Sequence, residues 1–185
     1  MGKTYLYHAK QPDFVGDRLY PLNRLKDNLP AVYENAVKKY NGREWLLAAT
    51  LPPLGCLWND VVHFSLLHPA AIYRHLSDVG IDDSKWEVKW FEVPLEDVLA
   101  HPCTLYKNNR QDRSGREFPE NDFEHVSEER VCELSGMPER NLRYYRECVE
   151  QNTHPLLWCY APHVLVKGEL DISGCRVFDW RGKDQ

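Results

Sequence analysis

The sequence has little of what marks several common classes of protein. Basic residues are not in excess: 23 Lys and Arg stand against 28 Asp and Glu, for a net charge of −5. This balance disfavours broad binding to nucleic acid, which needs Lys and Arg to displace counterions. No apolar run approaches the roughly 18 residues of a membrane helix, and no N-terminal basic stretch precedes an apolar one. We therefore expect a cytoplasmic protein with no membrane partner.

The motifs of the commonest enzymes are also missing. The phosphate-binding patterns GxxxxGKS, GxxxxGKT and GxGxxG do not occur, which argues against the usual nucleotidases. The GxSxG and HExxH patterns are absent as well. The common serine hydrolases and zinc peptidases are therefore excluded.

The six cysteines form no CxxC pair and are spaced widely and irregularly. A disulfide framework is not expected without a secretion signal. Zinc ligands usually come in close pairs, and the nearest mixed pair here is Cys159 with His163, four residues apart. We therefore predict buried, reduced thiols and no metal site.

What the sequence does have is a globular composition rich in aromatic residues. Of its 185 residues, 43% are apolar and 28% are charged, as in ordinary globular domains. The length suits a single domain over residues 1–185. Six Trp and ten Tyr are many for this length. Such side chains fill cores, but they also line ligand clefts and partner interfaces.

Apolar patterning predicts strands at both ends of the chain, with helices between them. Strands are predicted at 4–8, 43–51, 56–67, 85–94, 103–107, 156–160, 163–173 and 175–180, and helices at 27–42, 69–80, 95–102, 127–136 and 138–151. The order is not a regular βαβ alternation, so we predict an α+β fold with a mixed, mostly antiparallel sheet and peripheral helices. The polar segment 108–122 is predicted to be a mobile loop.

Capping residues predict where the main helices begin. Asn28 is the expected N-cap of the first long helix, with Pro30 in its first turn. Pro69 is expected to open the next long helix, which Gly80 ends. Ser127 is the expected start of a later helix.

Polar side chains are concentrated in the segment 55–76, where a predicted strand runs into a helix. Because strand side chains alternate, Asn59, His63 and Ser65 would share one face, while Asp60 would lie on the other. Asp60 and His63 would then not meet. The shared face would instead offer adjacent hydrogen-bonding groups to a bound ligand.

Three segments together resemble a known family. Tyr7 and His8 form an aromatic–imidazole pair on the first strand; a second strand runs directly into a helix over 63–73; and a late strand with a polar turn covers 162–173. This pattern resembles the ADP-ribosyltransferase superfamily, and within it the toxins that ADP-ribosylate DNA. The resemblance implies a split, bent sheet that holds NAD, a dinucleotide ligand, in a cleft. It also implies a nucleic acid or a protein as the acceptor.

The resemblance implies roles for individual residues as well. The implied NAD-binding residues are Tyr7, His8, Asn59, His63 and Ser65. Within that set, His8 would contact the nicotinamide ribose. An aromatic side chain, Tyr33 or Phe64, would stack near the nicotinamide ring.

The chain departs from the superfamily at its catalytic position. The family's catalytic Glu begins the late strand, and His163 stands at that place. The Glu carboxylate orients the ribose 2′-hydroxyl and favours a cationic transition state, which a neutral imidazole does not do. Glu150 and Glu169 lie before and after this position but do not match the motif. The resemblance nevertheless places His8 and His163 at the family's site positions. They are the predicted catalytic residues, for transfer of ADP-ribose to a macromolecule.

Two other functions stay open from the sequence. A non-enzymatic interaction module, such as an inhibitor or a toxin-neutralising partner, suits the acidic charge, the many Trp and Tyr residues and the lack of a complete catalytic motif. A small hydrolase would instead pair Asp60 or Asp171 with His63 or His163. The arginines of the segment 108–122 are candidates for contact with nucleic acid, because basic loops order on binding.

Overall fold

The fold is built on an antiparallel sheet with helices on both faces. The computed structural model describes residues 3–12, 14–81, 88–109 and 117–182. The strands are β1 Tyr5–Lys10, β2 Arg18–Leu19, β3 Thr50–Leu51, β4 Cys56–Leu57, β5 Val61–Ser65, β6 Lys89–Pro94, β7 Cys103–Tyr106, β8 Phe123–Glu124, β9 His163–Lys167, β10 Leu170–Asp171 and β11 Arg176–Asp179. The helices are α1 Leu22–Asn28, α2 Pro30–Val37, α3 Pro69–Asp78, α4 Leu95–Leu99, α5 Glu128–Leu134 and α6 Glu139–Glu150. Short 3₁₀ helices cover Lys38–Tyr40, Glu44–Leu47, Pro52–Leu54, Trp58–Asp60 and Glu120–Asp122.

The main sheet has seven strands in the order β11-β6-β1-β5-β9-β7-β8. Its described pairings are all antiparallel, where the prediction allowed a mixed sheet. The short strands pair separately, as β10 with β2 and β3 with β4. The predicted α+β class with a mostly antiparallel sheet is confirmed.

The two faces of this sheet bury different sets of side chains. Because side chains alternate along each strand, Phe64 and Phe91 lie on one face, while Ser65 and Trp90 lie on the other. The first face packs against α4 and α5, through a cluster that includes Leu6, Phe64, Phe91, Val98, Leu105, Val131 and Val164. The second face packs against α3 and α6 over one part and against residues 22–58 over the rest. We call this second face the cavity face, for the reason given below.

The central strands are apolar at nearly every position because both of their faces are covered. In β9, Val164, Leu165 and Val166 are all fully buried. The predicted strand over 163–173 is therefore confirmed for its first half. Gly168, with φ +90°, then turns the chain into β10.

Several helix boundaries follow the capping chemistry of the sequence. Pro69 occupies the first turn of α3, and Gly80 follows the helix with φ +85°. The Ser127 hydroxyl accepts a hydrogen bond from the Arg130 amide at the start of α5. The prediction for Asn28 is wrong, because Asn28 ends α1 and Leu29 lies between the two helices.

Three predicted strands are wrong or interrupted. Residues 43–51 form a 3₁₀ turn and only two strand residues, and 56–67 is broken by the turn Trp58–Asp60. The Asp60 carboxylate stabilises that turn by accepting the Leu57 amide at 2.9 Å. Residues 156–160 form turns, because side chains take up their carbonyl groups, as described below. Part of the predicted strand 85–94 and of the loop 108–122 lies outside the described residues.

Candidate functional site

The sheet opens between β1 and β5. These two strands pair only at Tyr7 and Ser65, whereas β1 pairs with β6 along six residues. Beyond that point a side chain replaces the strand ladder, since His8 Nδ1–H donates to the His63 carbonyl at 2.8 Å. Beyond the Tyr7–Ser65 pair, the backbone of β5 is therefore held to β1 by an imidazole ring and not by further strand pairing.

A cavity of about 560 Å³ lies on the cavity face near this opening. The residues that line it come from β1, β6, β7 and β9, from the segments 42–46 and 156–159, and from positions 58, 108 and 118. They are mostly aromatic or aliphatic: Ala9, Trp45, Leu46, Trp58, Trp90, Tyr106, Phe118, Leu156, Leu157 and Trp158. Four of the chain's six Trp residues are in this set. Its volume is in the range of small-molecule sites.

The aromatic rings of the cavity support one another. Trp58 stacks on Phe118 with ring centroids 4.8 Å apart and an interplanar angle of 11°. Trp158 meets the His163 ring edge-on at 5.2 Å and lies 5.9 Å from Trp90. Ala9 is the direct neighbour of Trp90 across the strands, and its small side chain leaves room above the sheet. Rigid, flat surfaces of this kind suit a planar ring.

Residues 156–161, which carry Trp158, are held by side-chain hydrogen bonds to their carbonyl groups. Asn108 Nδ2 donates to the Trp158 carbonyl at 3.0 Å and to the Ala161 carbonyl at 2.8 Å. From α6, Asn141 Nδ2 donates to the Cys159 carbonyl at 2.6 Å, and the Tyr145 hydroxyl donates to the Leu157 carbonyl at 2.6 Å. These carbonyls are not available to a strand partner, which explains why this apolar segment is not a strand.

Few polar groups line the cavity. Apart from the Tyr106 hydroxyl, the Cys159 thiol and the indole N–H groups, the polar side chains are Asn108, His163 and Arg43, and no Asp or Glu is present among the described lining residues. His163 Nδ1 lies 2.7 Å from the Ala161 carbonyl and must donate to it, because a carbonyl only accepts. In the neutral ring, Nε2 then carries the lone pair. Because Arg43 lines the cavity and no carboxylate is among its described lining residues, the cavity suits a ligand that is neutral or anionic.

The neighbouring histidines are held in their neutral forms. Burial lowers the pKa of His8 to about 4. Burial, together with the charges of His163 and Lys39, lowers the pKa of His63 well below its ordinary value. His63 Nε2 donates to the Trp58 carbonyl at 3.2 Å, so its tautomer is also fixed by the backbone.

The structure brings only part of the predicted site to the cavity. His163 lines it, and His63 lies beside it, with ring centroids 6.2 Å apart. His8 lies on the opposite face of the sheet, 5.7 Å from Phe64, so the two predicted catalytic residues do not face one another. Phe64 is fully buried on that face too, away from the cavity.

The other predicted ligand-binding side chains are bonded or packed elsewhere. Asn59 lies in the turn before β5, not on the strand face, and donates to the Leu46 carbonyl at 3.2 Å. The Ser65 hydroxyl is buried and exchanges hydrogen bonds with the backbone of Leu67. Tyr7 packs edge-on against His68. These three residues therefore support the surroundings of the cavity and do not line it.

The hydrolase hypothesis pairs Asp60 or Asp171 with His63 or His163. The described hydrogen bonds of these four side chains go to other groups. The Asp60 carboxylate accepts from Asn23 at 2.7 Å and from the Leu57 amide. Asp171 lies on β10, where it accepts the Ser173 amide. His63 donates to a backbone carbonyl, as does His163.

The residues that form most of the cavity were missed from the sequence. Trp45, Trp58, Phe118 and Trp158 come from four separate segments that no local pattern connects. The one available signal was the number of Trp and Tyr residues. Only the folded chain shows that four tryptophans meet at one place.

Comparisons with protein-family models, curated proteins and solved structures find no match. None of the helices in the described part of the chain is both long enough and apolar enough to cross a membrane. Over the same residues, no three His, Cys, Asp or Glu side chains are grouped so that they could hold a metal ion. The site is therefore interpreted from its own chemistry.

Acidification is expected to destabilise the protein through His8. The unfolded chain takes up a proton near pH 6.5, whereas folded His8 does so only near pH 4, so stability present above pH 6.5 is lost as the pH falls. His8 should account for about 2–3 kcal/mol of this loss by pH 4.5. Urea unfolding of wild type and His8→Gln at pH 7 and pH 4.5 measures it. The variant should lose less stability; equal losses would contradict a neutral, partly buried His8.

Proposed function

We propose that this protein is an ADP-ribosyltransferase-like protein that binds NAD or a related nucleotide in the aromatic cavity. The observation that carries the proposal is the cavity itself, in which Trp58, Phe118 and Trp158 offer flat surfaces to a planar base. Base-to-aromatic stacking contributes about 1–3 kcal/mol per base.

Two further features favour this ligand over other planar molecules. The sheet opens between β1 and β5 beside the cavity, in keeping with the split sheet that the family resemblance implies. His163, which stands at the position of the family's catalytic Glu, lines the cavity. His163 is thus the residue that the family resemblance and the cavity have in common.

The main proposed role is the binding of NAD. Transfer of ADP-ribose is a further step that needs an additional group. Transfer of ADP-ribose needs stabilisation of a cationic sugar, which a carboxylate provides and a neutral imidazole does not. Since no carboxylate is among the described lining residues, transfer to a nucleic acid or protein would require one from the acceptor or from another part of the chain.

Titration of the purified protein with NAD in a calorimeter tests the proposal. We expect saturable binding with a dissociation constant at or below about 1 mM, equivalent to roughly −4 kcal/mol. Nicotinamide release, followed by chromatography of the same samples, separates binding from catalysis. The expected result is binding with little release in the absence of an acceptor. No saturable heat at several millimolar NAD would overturn the proposal.

A further inference from the structure

One cation lies at the edge of the cavity, and a second belongs to the turn that precedes it. Arg43 and the exposed Gly42 both line the cavity, which makes this segment its rim. Lys39 is the middle residue of the preceding turn Lys38–Tyr40, and its backbone carbonyl accepts a hydrogen bond from the Arg43 guanidinium. The Lys39 ammonium lies 5.1 Å from the centroid of the Tyr40 ring, which packs in the same cluster as the cavity residues Trp45, Trp58 and Phe118.

Neither cation is neutralised within the described part of the protein. No salt bridge joins Lys39 or Arg43 to a described carboxylate. The neighbouring carboxylate, Glu44, accepts the Gly42 amide at 2.8 Å instead. Burial and the charge of Arg43 both lower the pKa of Lys39. The Arg43 guanidinium contacts the Lys39 backbone, so two like charges belong to one short segment, an arrangement that a bound anion would relieve.

We propose that Lys39 and Arg43 form a phosphate-binding subsite at the rim of the aromatic cavity. The base of the ligand would then stack inside the cavity, and its 5′-phosphate or diphosphate would lie against the two cations. The guanidinium can bind two phosphate oxygens with its planar fork, and the ammonium adds a compact charge. This inference rests on the proposed function, and it names the ligand class as nucleotides in preference to nucleosides.

Matched ligands that differ by one phosphate test the subsite. The probes are nicotinamide mononucleotide with nicotinamide riboside, and AMP with adenosine, each titrated calorimetrically alongside NAD. The phosphorylated member of at least one pair should bind wild type at least tenfold more tightly. That preference should weaken as salt is raised from 50 to 500 mM, because screening acts on the phosphate contact.

Charge variants then assign the preference to the two residues. Arg43→Gln and Lys39→Gln should each reduce the preference about threefold or more, measured as the ratio of nucleotide to nucleoside affinity in the same variant. Arg43→Lys should retain most of it. Lys38→Gln is the matched control, since Lys38 is the exposed residue next to Lys39, is not among the residues that line the cavity, and makes the same change in net charge. Thermal unfolding of each variant verifies that it is folded.

The outcomes separate this inference from the proposed function. If NAD and a nucleoside bind but the phosphate adds no affinity, the subsite is refuted and the cavity proposal stands. A phosphate preference that persists in Arg43→Gln and Lys39→Gln refutes it as well. If none of the five ligands binds wild type, the proposed function fails and the subsite fails with it.

Discussion

Replacing Asn108 with alanine is expected to lower the free energy of unfolding by about 3 kcal/mol. Asn108 is buried, and its amide holds the carbonyls of Trp158 and Ala161. Each lost hydrogen bond costs about 1 kcal/mol, and more where a buried carbonyl keeps no partner. In addition, Asn108 has φ +52°, a left-handed conformation that Asn tolerates and Ala does not. Urea unfolding followed by circular dichroism measures the change.

Two control variants divide this effect into its parts. Asn152 has φ +51° but is exposed, so Asn152→Ala should show only the backbone cost, about 1 kcal/mol. Asn108→Gly removes the hydrogen bonds without the backbone strain and should fall between the two. Equal effects of Asn108→Ala and Asn152→Ala would mean that the amide does not hold residues 156–161.

Truncation of Trp158 to alanine should weaken NAD binding at least tenfold. The indole lines the cavity between His163 and Trp90, and its removal takes away a stacking surface. A tenfold change equals 1.4 kcal/mol, within the range of one base stacked on one aromatic ring. Trp158→Phe keeps a flat ring at this position and should lose less than fivefold. Calorimetric titration with NAD at pH 7.5 measures all three proteins.

The control for Trp158→Ala is an aromatic truncation on the other face of the sheet. Phe14 packs edge-on against Phe91, 5.0 Å away, outside the cavity. Phe14→Ala should lower stability and leave the affinity for NAD unchanged. If both truncations weaken binding equally, loss of stability explains the effect, and the cavity is not the NAD site.

Local signals in the sequence were sufficient for much of the fold. The strand predicted over 85–94 agrees with β6 in its described part, and the proline and glycine predicted to bound α3 lie at its two ends. The segment 156–160 shows where such signals fail. It is as apolar as a strand, but Asn108, Asn141 and Tyr145 bind its carbonyls from distant parts of the chain.

The candidate site could be predicted only in part, for a similar reason. His163 was singled out from its position in a motif, and it does line the cavity. The strand predicted through Asn59 gave the wrong face for that residue, because the Asp60 carboxylate stabilises a turn there. Because side chains alternate along β1, His8 lies on the face of the sheet opposite the cavity, beside Phe91. Local sequence does not show on which face His163, far along the chain, lies relative to His8.

The most direct test of the central claim is an NAD titration of wild type, followed by both calorimetry and the indole N–H resonances of ¹⁵N-labelled tryptophan. If the aromatic cavity is the NAD site, binding should saturate, and the resonances of Trp45, Trp58, Trp90 and Trp158 should shift with the same dissociation constant. Single Trp→Phe variants assign the resonances. The absence of saturable shifts at several millimolar NAD, or shifts that spare all four of these residues, would contradict the claim.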